Sequence, residues 1–428
     1  MPHIQPNIST FARIKVIGVG GSGQNAVDHM IRSKIDGIDY VCINTDTQHL
    51  HSSLAPKKIH IGKNLTKGAG SGMNPEIGKK AVEETRADIQ ESLKDADMIF
   101  IACGMGGGTG TGAAPIVAKL AKEQGILTVG VVTRPFSFEG EQRSELARRG
   151  IEDLQKEVDA LIVISNDRLL AITDRNTSFR QAFAMCDDVL LQAVKSIADI
   201  IREKQTVNID LADVRAVLSN AGSAFIGIGI SSGENRAEEA AERAINSPLL
   251  DVSISGAKGV LLSICTHSDD LKIFEVDEIA RIVGQNIDTN ARFIFGPVED
   301  DTVKKGELKV TVVATGFDQK YSSPANTKSS TRSSVNPFSG NYNGQQNAQL
   351  AKTETSNPEI LQPDFTRRTP EVKQMSKDEE PAQPINTQQQ TQQPQPQKPK
   401  IEEIDDSDNS DPGSFWGPDG FSFIKRNK

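Results

Sequence analysis

The sequence lacks the features of a disulfide-bonded, membrane-spanning or nucleic-acid-binding protein. Its four cysteines are scattered, with no CxxC pair and no histidine at metal-binding spacing, so we interpret them as small buried side chains in a reducing compartment. No signal peptide opens the chain and no apolar run is long enough to span a bilayer, so we expect a cytoplasmic protein without direct membrane insertion. A formal net charge of −9 argues against a broad basic surface for nucleic acid.

Hydrophobic residues, at 36%, and aromatic residues, at 5%, are also scarce, which indicates that part of the chain does not fold. The 428 residues still suffice for two packed domains. After Phe317 apolar periodicity ends, and Ser, Asn, Gln, Thr and Pro dominate. We therefore expect a flexible N-terminal segment at 1–12, a disordered linker at 318–410 and a short partner-binding peptide at 411–428. That last segment is aromatic and basic, and a merely sticky tail is the alternative.

Between these ends the pattern predicts an α/β fold. Short β-branched runs alternate with helical patterns up to Ile164, which is typical of a parallel sheet buried on both faces. We expect a doubly wound nucleotide-binding domain at 13–177, a long central helix at 178–204 and a second α+β domain at 205–317. The triplet Asn74-Pro75-Glu76 is typical of a helix start.

The first glycine-rich loop, GVGGSG at Gly18–Gly23, follows the first strand and opens a helix. Glycine allows backbone N–H groups to approach a phosphate, and a helix N-terminus favours negative charge. The loop matches GxGxxG, and Asp46 ends the second strand at about the spacing of a ribose-binding acid. By itself it fits a nicotinamide-dependent oxidoreductase, or a glycine turn needed only for packing.

A second loop, Gly104–Gly112, follows another strand and precedes another helix, and a third glycine cluster lies at Gly68–Gly72. An enzyme that binds a dinucleotide needs no such second loop. A site for a triphosphate does, because one loop can hold the inner phosphates and another the outer ones. The second loop lacks the lysine of the common P-loop. The three loops therefore predict an unusual triphosphate site.

The stretch GGGTGTG at Gly106–Gly112 resembles the signature of the tubulin superfamily, and the chain is similar to the FtsZ family of bacterial cell-division proteins. GVGGSGQNAV, KGAGSGMNPE, RPFSFEG, ISNDRLL and NIDLADV carry the resemblance, which spans Ile14–Phe317. It implies a GTPase that polymerises head-to-tail into filaments of a mid-cell division ring. It also implies GTP or GDP with Mg²⁺ held largely by phosphate oxygens and water. Partners would be further copies of the chain and, through the C-terminal peptide, membrane anchors and regulators of division.

The resemblance also implies roles for individual residues. Contacts to the diphosphate would come from Gly20, Gly21, Ser22, Gly23, Gln24 and Asn25, with Asn25 also reaching the guanine. Contacts to the β- and γ-phosphates would come from Gly104, Gly106, Gly107, Gly108, Thr109, Gly110 and Thr111, and the γ-phosphate would be sensed by Ala69, Gly70, Ser71 and Gly72. Glu139 and Arg143 would contact ribose and phosphate, and Asn166 the base.

Two adjacent acids compete for the guanine edge. Phe183 would stack on the ring, and either Asp187 or Asp188 could accept from guanine N1–H and the exocyclic amine. Asp187 shares the helix face of Phe183, four residues earlier, so we favour Asp187. The alternative is a core phenylalanine beside solvated acids.

The last motif is NIDLAD, which contains Asn208, Asp210 and Asp213. Asp210 is a plausible N-cap of the following helix, and acids are common in a first turn. The resemblance implies instead that these residues complete the GTPase site of the neighbouring subunit, where carboxylates would orient a water molecule. A non-polymerising, tubulin-like GTP-binding regulator is the other alternative, and it would be expected to lack these acids.

Overall fold

The computed structural model describes residues 12–35, 37–171, 173–174, 176–202, 209–250, 253–267, 270–300 and 302–317. The predictions for 318–410 and 411–428 lie outside these residues, as do those for Asn208 and for nearly all of 1–12. In the part of the chain that is described, no helix is both long and apolar enough to cross a membrane.

The first half of the chain forms a parallel sheet in the strand order 3-2-1-4-5-6, which is the doubly wound order. Its strands are β1 (Ile14–Val19), β2 (Ile38–Asn44), β3 (Lys57–His60), β4 (Met98–Gly104), β5 (Leu127–Arg134) and β6 (Ala160–Ser165). All six coincide with the β-branched runs of the sequence. The predicted α/β fold class is confirmed.

Helices cover both faces of this sheet. They are α1 (Gly20–Arg32), α2 (Thr47–Ser52), α3 (Lys63–Thr66), α4 (Pro75–Glu84), α5 (Arg86–Leu93), α6 (Thr109–Glu123), α7 (Glu141–Glu157), α8 (Asn166–Ala171), α9 (Phe179–Arg202) and α10 (Leu211–Leu218). Alternate strand residues point to opposite faces. In β4, Phe100 accordingly joins the core beneath α1, α9 and α10, while Ile101 joins the core beneath α4 to α7. Both side chains are fully buried.

Local signals explain several helix starts. The Asn74 side chain accepts a hydrogen bond from the backbone of Glu76 at 3.0 Å, with Pro75 at the first helical position, as predicted. Asp46 caps α2 in the same way by accepting from the backbone of His49 at 3.0 Å. Asp46 is thus held at the end of β2 by its capping role.

The second half of the chain continues the same sheet. It adds β7 (Gly222–Ser232), α11 (Arg236–Ile245), β8 (Gly259–Thr266), α12 (Ile273–Gly284), β9 (Arg292–Glu299) and β10 (Glu307–Thr315). The first residues of β7 pair in parallel with β6, and the strands then follow in the order 7-10-8-9, with β10 antiparallel to both of its neighbours. The described strands thus form one ten-stranded sheet, with α11 and α12 over a separate core.

Candidate nucleotide site

The two glycine loops meet where the strand order reverses. β1 and β4 are neighbours in the sheet, and their crossovers lead to opposite sides, which is the position where doubly wound proteins bind ligands. The first loop leads from β1 into α1, and the second leads from β4 into α6. Because both strands are parallel, both loops lie at the same edge, the carboxyl edge of the sheet.

The loops touch through glycine. A Cβ atom added to Gly20 would lie 2.9 Å from the backbone nitrogen of Gly110, and one added to Gly104 would lie 2.6 Å from Oγ of Ser22. Gly20 also has a φ of +73°, a conformation that glycine adopts readily. Larger residues at these positions would push the loops apart, so packing and phosphate binding place the same demand on the sequence.

The third glycine cluster reaches this point through hydroxyl groups. Thr109 Oγ1 lies 2.9 Å from Ser71 Oγ and 2.7 Å from Thr45 Oγ1, and all three side chains are buried. Asp46 forms an isolated bridge with Ala69. Thr109 therefore connects the second loop to the third glycine cluster and to the end of β2, and Thr45 is a residue that the sequence motifs did not indicate.

The outer side of the loops is open. An added Cβ at Gly107 or Gly72 would meet no atom within 4 Å, and at Gly70 the nearest atom would be Asp46 Cβ at 4.0 Å. The inner side is closed, because Thr111 Oγ1 accepts a hydrogen bond from the Gly106 backbone at 2.9 Å. Glycine backbone with open space beside it suits a group of phosphate oxygens.

The other residues of the first loop are differently placed. The Gln24 side chain is fully buried and donates to the carbonyl of His49 at 2.7 Å, so it supports α2. Asn25 is exposed, and its Oδ1 lies 3.1 Å from His49 Nε2. His49 is a second residue that the motifs missed, although it follows closely on Asp46.

Glu139 and Arg143, four positions apart, form an ion pair at 3.1 Å. Glu139 also accepts from the Phe136 backbone at 2.9 Å. The Arg143 backbone lies against Gly106, where an added Cβ would approach its carbonyl to 2.7 Å. Among the described residues Nε of Arg143 is buried without a hydrogen-bond partner. This arginine therefore retains a donor beside the second loop.

Asn166 directly follows β6, and Phe183 lies near the start of α9. Asn166 is 5% exposed, and its Oδ1 has no partner within the described ranges. The Phe183 ring contacts Phe136 edge-on, with centroids 5.2 Å apart, and Phe179 at 4.8 Å. These rings border a cavity of about 400 Å³ that Leu170 also lines.

The two adjacent acids of α9 have different surroundings. Asp188 Oδ1 lies 2.8 Å from Nε2 of His29 on α1. No described side chain hydrogen-bonds Asp187, and burial raises the pKa of its carboxyl to about 7. A partly buried carboxyl without hydrogen-bond donors is destabilised as a carboxylate until a ligand supplies such donors.

Asp210 and Asp213 lie far from the loops. Asp210 caps α10 by accepting from the Asp213 backbone at 2.9 Å, as the first interpretation of the motif predicted, and both residues are exposed. From the same helix Arg215 donates to the carbonyl of Asp97 at 3.3 Å, the residue just before β4. α10 is therefore at the amino edge of the sheet. A strand rises ~3.3 Å per residue, so the seven residues of β4 separate the two edges by roughly 20 Å.

No group of three or more His, Cys, Asp or Glu side chains is placed to hold a metal ion among the residues that the structure describes. The groups that the loops offer to a phosphate are backbone N–H groups and a few side-chain donors. A doubly wound sheet with three glycine loops at its switch point, and without a P-loop lysine, defines a nucleotide-binding protein outside the common P-loop class.

Comparison with known proteins identifies the class further. The family described as "Tubulin/FtsZ family, GTPase domain" matches residues 13–174, and "FtsZ family, C-terminal domain" matches residues 222–318. The chain therefore belongs to the tubulin/FtsZ family, as the resemblance indicated. Its GTPase domain implies binding of GTP or GDP, and it leaves the oxidoreductase interpretation of the first loop without support.

Solved structures of FtsZ proteins are similar to this chain. The empty FtsZ dimer of M. jannaschii is 45% identical over 72% of this chain and 89% of its own, with a TM-score of 0.69. A mutant FtsZ of the same organism is 44% identical over 72% of this chain and 92% of its own, also at 0.69. CetZ2 from Haloferax volcanii, in a GTPγS-bound protofilament, is 22% identical over 72% of this chain and 94% of its own, at 0.62, and shares the fold.

Proposed function

We propose that this protein is a polymer-activated GTPase whose copies join head-to-tail into filaments of a division ring, and that each GTP site is completed by Asp210, Asp213 and Asn208 of the next copy. It would bind GTP in the three-loop site of one chain and turn it over only at the contact between two chains. The division of the fold into a GTP-binding domain (13–177), a central helix (178–204) and a C-terminal domain carrying the acids (205–317) is part of this proposal.

The separation of the glycine loops from the acids carries the proposal. The loops lie at the carboxyl edge of the sheet, whereas α10 with Asp210 and Asp213 lies at the amino edge, where Arg215 contacts the backbone before β4. With roughly 20 Å between the edges, these acids cannot reach a phosphate held by their own chain. Stacking a second copy along the strand direction brings its acid edge onto the loop edge of the first. Repetition of such a heterologous contact gives a filament.

The proposed chemistry follows from which groups lie at each edge. Backbone N–H groups around Gly107 and Gly72, with Thr109 and the Arg143 guanidinium, would hold the phosphates and stabilise their charge. The incoming Asp210 and Asp213 would orient a water molecule and receive its proton. The phosphates would bring Mg²⁺, which stabilises their charge through phosphate oxygens and water.

The base end of the site favours guanine. Asn166 Oδ1 is buried and without a partner in the described ranges, and the Asp187 carboxyl is partly buried, with a pKa that burial raises. Guanine presents an N1–H and an exocyclic amine, and both can donate hydrogen bonds to such oxygens. Adenine offers an acceptor and a differently placed amine donor, so it would not supply the same two donors to these oxygens.

The loop edge also exposes apolar surface suited to a protein contact. Phe138 is 61% exposed and Phe179 is 70% exposed, and their rings approach each other beside the site. The structural relatives include an FtsZ dimer and a CetZ protofilament, which supports self-association here. The resemblance extends the proposal to a cytoplasmic protein at mid-cell, whose peptide at 411–428 binds membrane anchors and regulators of division.

GTP turnover measured against protein concentration, with light scattering recorded alongside, tests the shared site. We expect little turnover at low concentration, a threshold at which scattering appears, and a steep rise of specific activity beyond it. Specific activity that is constant from the lowest concentrations would refute the shared site. Tight GTP binding with neither turnover nor scattering would instead indicate a non-polymerising GTP-binding regulator.

A further inference from the structure

His29 connects the phosphate-binding helix to the base-binding helix. Its Nε2 atom on α1 lies 2.8 Å from Oδ1 of Asp188 on α9, although the two residues are 159 positions apart. The histidine side chain is 30% exposed and that of Asp188 14% exposed. The pair is therefore partly shielded from solvent. An ion pair in such a position is less screened than one on an open surface.

The position of His29 on α1 links it to the base site a second time. It lies four residues after Asn25, so both residues share one face of the helix. Asn25 is proposed to contact guanine, and the two acids next to Phe183 compete for the same base. A contact from α1 to one acid of the pair therefore distinguishes two carboxylates that are chemically identical and adjacent in sequence.

We propose that His29 is a positioning residue for guanine recognition: by holding Asp188 it fixes α9 against α1 at this point and leaves Asp187 as the carboxylate that accepts from the base. This inference rests on the proposed GTP-binding function. It assigns no catalytic role to His29, because the histidine acts through Asp188 and need not touch the nucleotide.

The charges around Asp187 agree with this arrangement. Burial raises the pKa of Asp187, the charge of His29 opposes that rise and the charge of Asp188 adds to it. The hydrogen bond with Asp188 raises the pKa of His29 itself, against the effect of its burial, and Arg32 on the same helix lowers it. Glu139, whose charge raises the pKa of the neighbouring Cys186 thiol, is itself paired with Arg143.

Loss of His29 should therefore have two effects on base recognition. Helix α9 would lose its contact to α1 at Asp188, and without the charge of His29 the pKa of Asp187 would rise further. Both effects weaken acceptance of the guanine N1–H and amine, while the phosphate loops remain unchanged. The loss should consequently appear as discrimination between bases and as a displaced pH profile, rather than as a general loss of triphosphate binding.

The test uses His29→Leu, His29→Gln and a control, His51→Leu, in the full-length chain. His51 is an exposed histidine of α2. GTP and inosine triphosphate, which lacks the exocyclic amine, are titrated between pH 6 and 8.5, and KM and kcat are measured in polymerising conditions. We expect His29→Leu to bind GTP about tenfold more weakly at pH 7, as for loss of one charge-assisted hydrogen bond. Its preference for GTP over inosine triphosphate should fall, and its binding midpoint should move to higher pH.

His29→Gln distinguishes positioning from simple destabilisation. Glutamine can still donate to Asp188 but carries no charge, so base preference should return towards wild type while the pH midpoint stays displaced. Equal weakening of GTP and inosine triphosphate in His29→Leu, with an unchanged pH profile, would overturn the inference, as would a glutamine variant no better than leucine. If His29→Leu does not fold, the glutamine variant decides by its pH midpoint. Failure of the wild type to bind GTP would refute the proposed function instead.

Discussion

Asp210 Oδ1 accepts a hydrogen bond from the backbone nitrogen of Asp213 at 2.9 Å, and so it caps α10. One of the two carboxylates proposed for hydrolysis is thus also a structural element of its own helix. Asn caps a helix about as well as Asp, whereas Ala does not. The two roles of Asp210 can therefore be separated by substitution.

Asp210→Asn should leave stability unchanged and reduce GTP turnover strongly, because the cap is kept and the carboxylate is lost. Asp210→Ala should reduce GTP turnover as strongly as Asp210→Asn does, and it should also lower the free energy of unfolding by about 1 kcal/mol because the cap is lost. Urea denaturation and steady-state phosphate release give the two quantities. Full turnover in Asp210→Asn would show that Asp210 serves only as the N-cap.

Asp213→Ala should bind GTP with wild-type affinity and turn it over at least about a hundredfold more slowly, because a water-orienting acid is removed. Nucleotide affinity is measured by titration below the threshold concentration and turnover above it. Reduced GTP affinity at low concentration would instead place Asp213 in the pocket of its own chain.

Asp187→Asn should change the base that the protein accepts. Xanthine has a carbonyl where guanine has its amine, and an amide can donate to that carbonyl whereas a carboxylate is repelled by it. The affinity for GTP should therefore fall and the affinity for xanthosine triphosphate should rise, so that the ratio of the two affinities changes by about tenfold or more. Competition binding measures both nucleotides. Asp188→Asn is the matched control and should gain no affinity for xanthosine triphosphate. A gain in the control but not in Asp187→Asn would exchange the roles of the two acids.

Gly107→Ala should weaken GTP binding and leave the fold intact, because an added Cβ at Gly107 meets no atom within 4 Å and would occupy the space proposed for phosphate. Gly23→Ala is the comparison, since its Cβ would collide with the backbone carbonyl of Ala102. Overpacking of that kind costs ~1–3 kcal/mol. Denaturation midpoints and GTP titrations should therefore separate the two variants. Unchanged GTP affinity in Gly107→Ala would place the phosphates elsewhere.

Much of this fold could be predicted from local patterns. The six parallel strands are continuous β-branched runs, and the caps at Asn74 and Asp210 depend on residues at most three positions away. The continuation of the sheet from β6 to β7 has no such local pattern in the sequence. That junction is a parallel pairing of three residues, and it leaves no periodic signal in the sequence.

The site was predictable where glycine motifs mark it and not where distant side chains meet. Thr45 and Thr109 are 64 positions apart, and His29 and Asp188 are 159 apart. The burial that raises the pKa of Asp187 likewise depends on the packing of α9 rather than on its neighbours in sequence. The choice between Asp187 and Asp188 could be argued from helix spacing alone, but their different surroundings could not.

The raised pKa of Asp187 also makes a prediction about stability without nucleotide. In the folded protein this pKa is about 7, against 3.8 as the ordinary value. Between these pH values the folded chain holds a proton that the unfolded chain has lost, so this carboxyl reduces stability progressively as pH rises through the window.

Asparagine at position 187 cannot ionise. Nucleotide-free Asp187→Asn should thus be more stable than wild type at pH 8, and the difference should shrink towards pH 4. Urea midpoints at pH 4, 6 and 8 measure it, and a difference independent of pH would show that Asp187 titrates normally. Added GTP should reverse the order at pH 8, because only the carboxylate accepts both guanine donors.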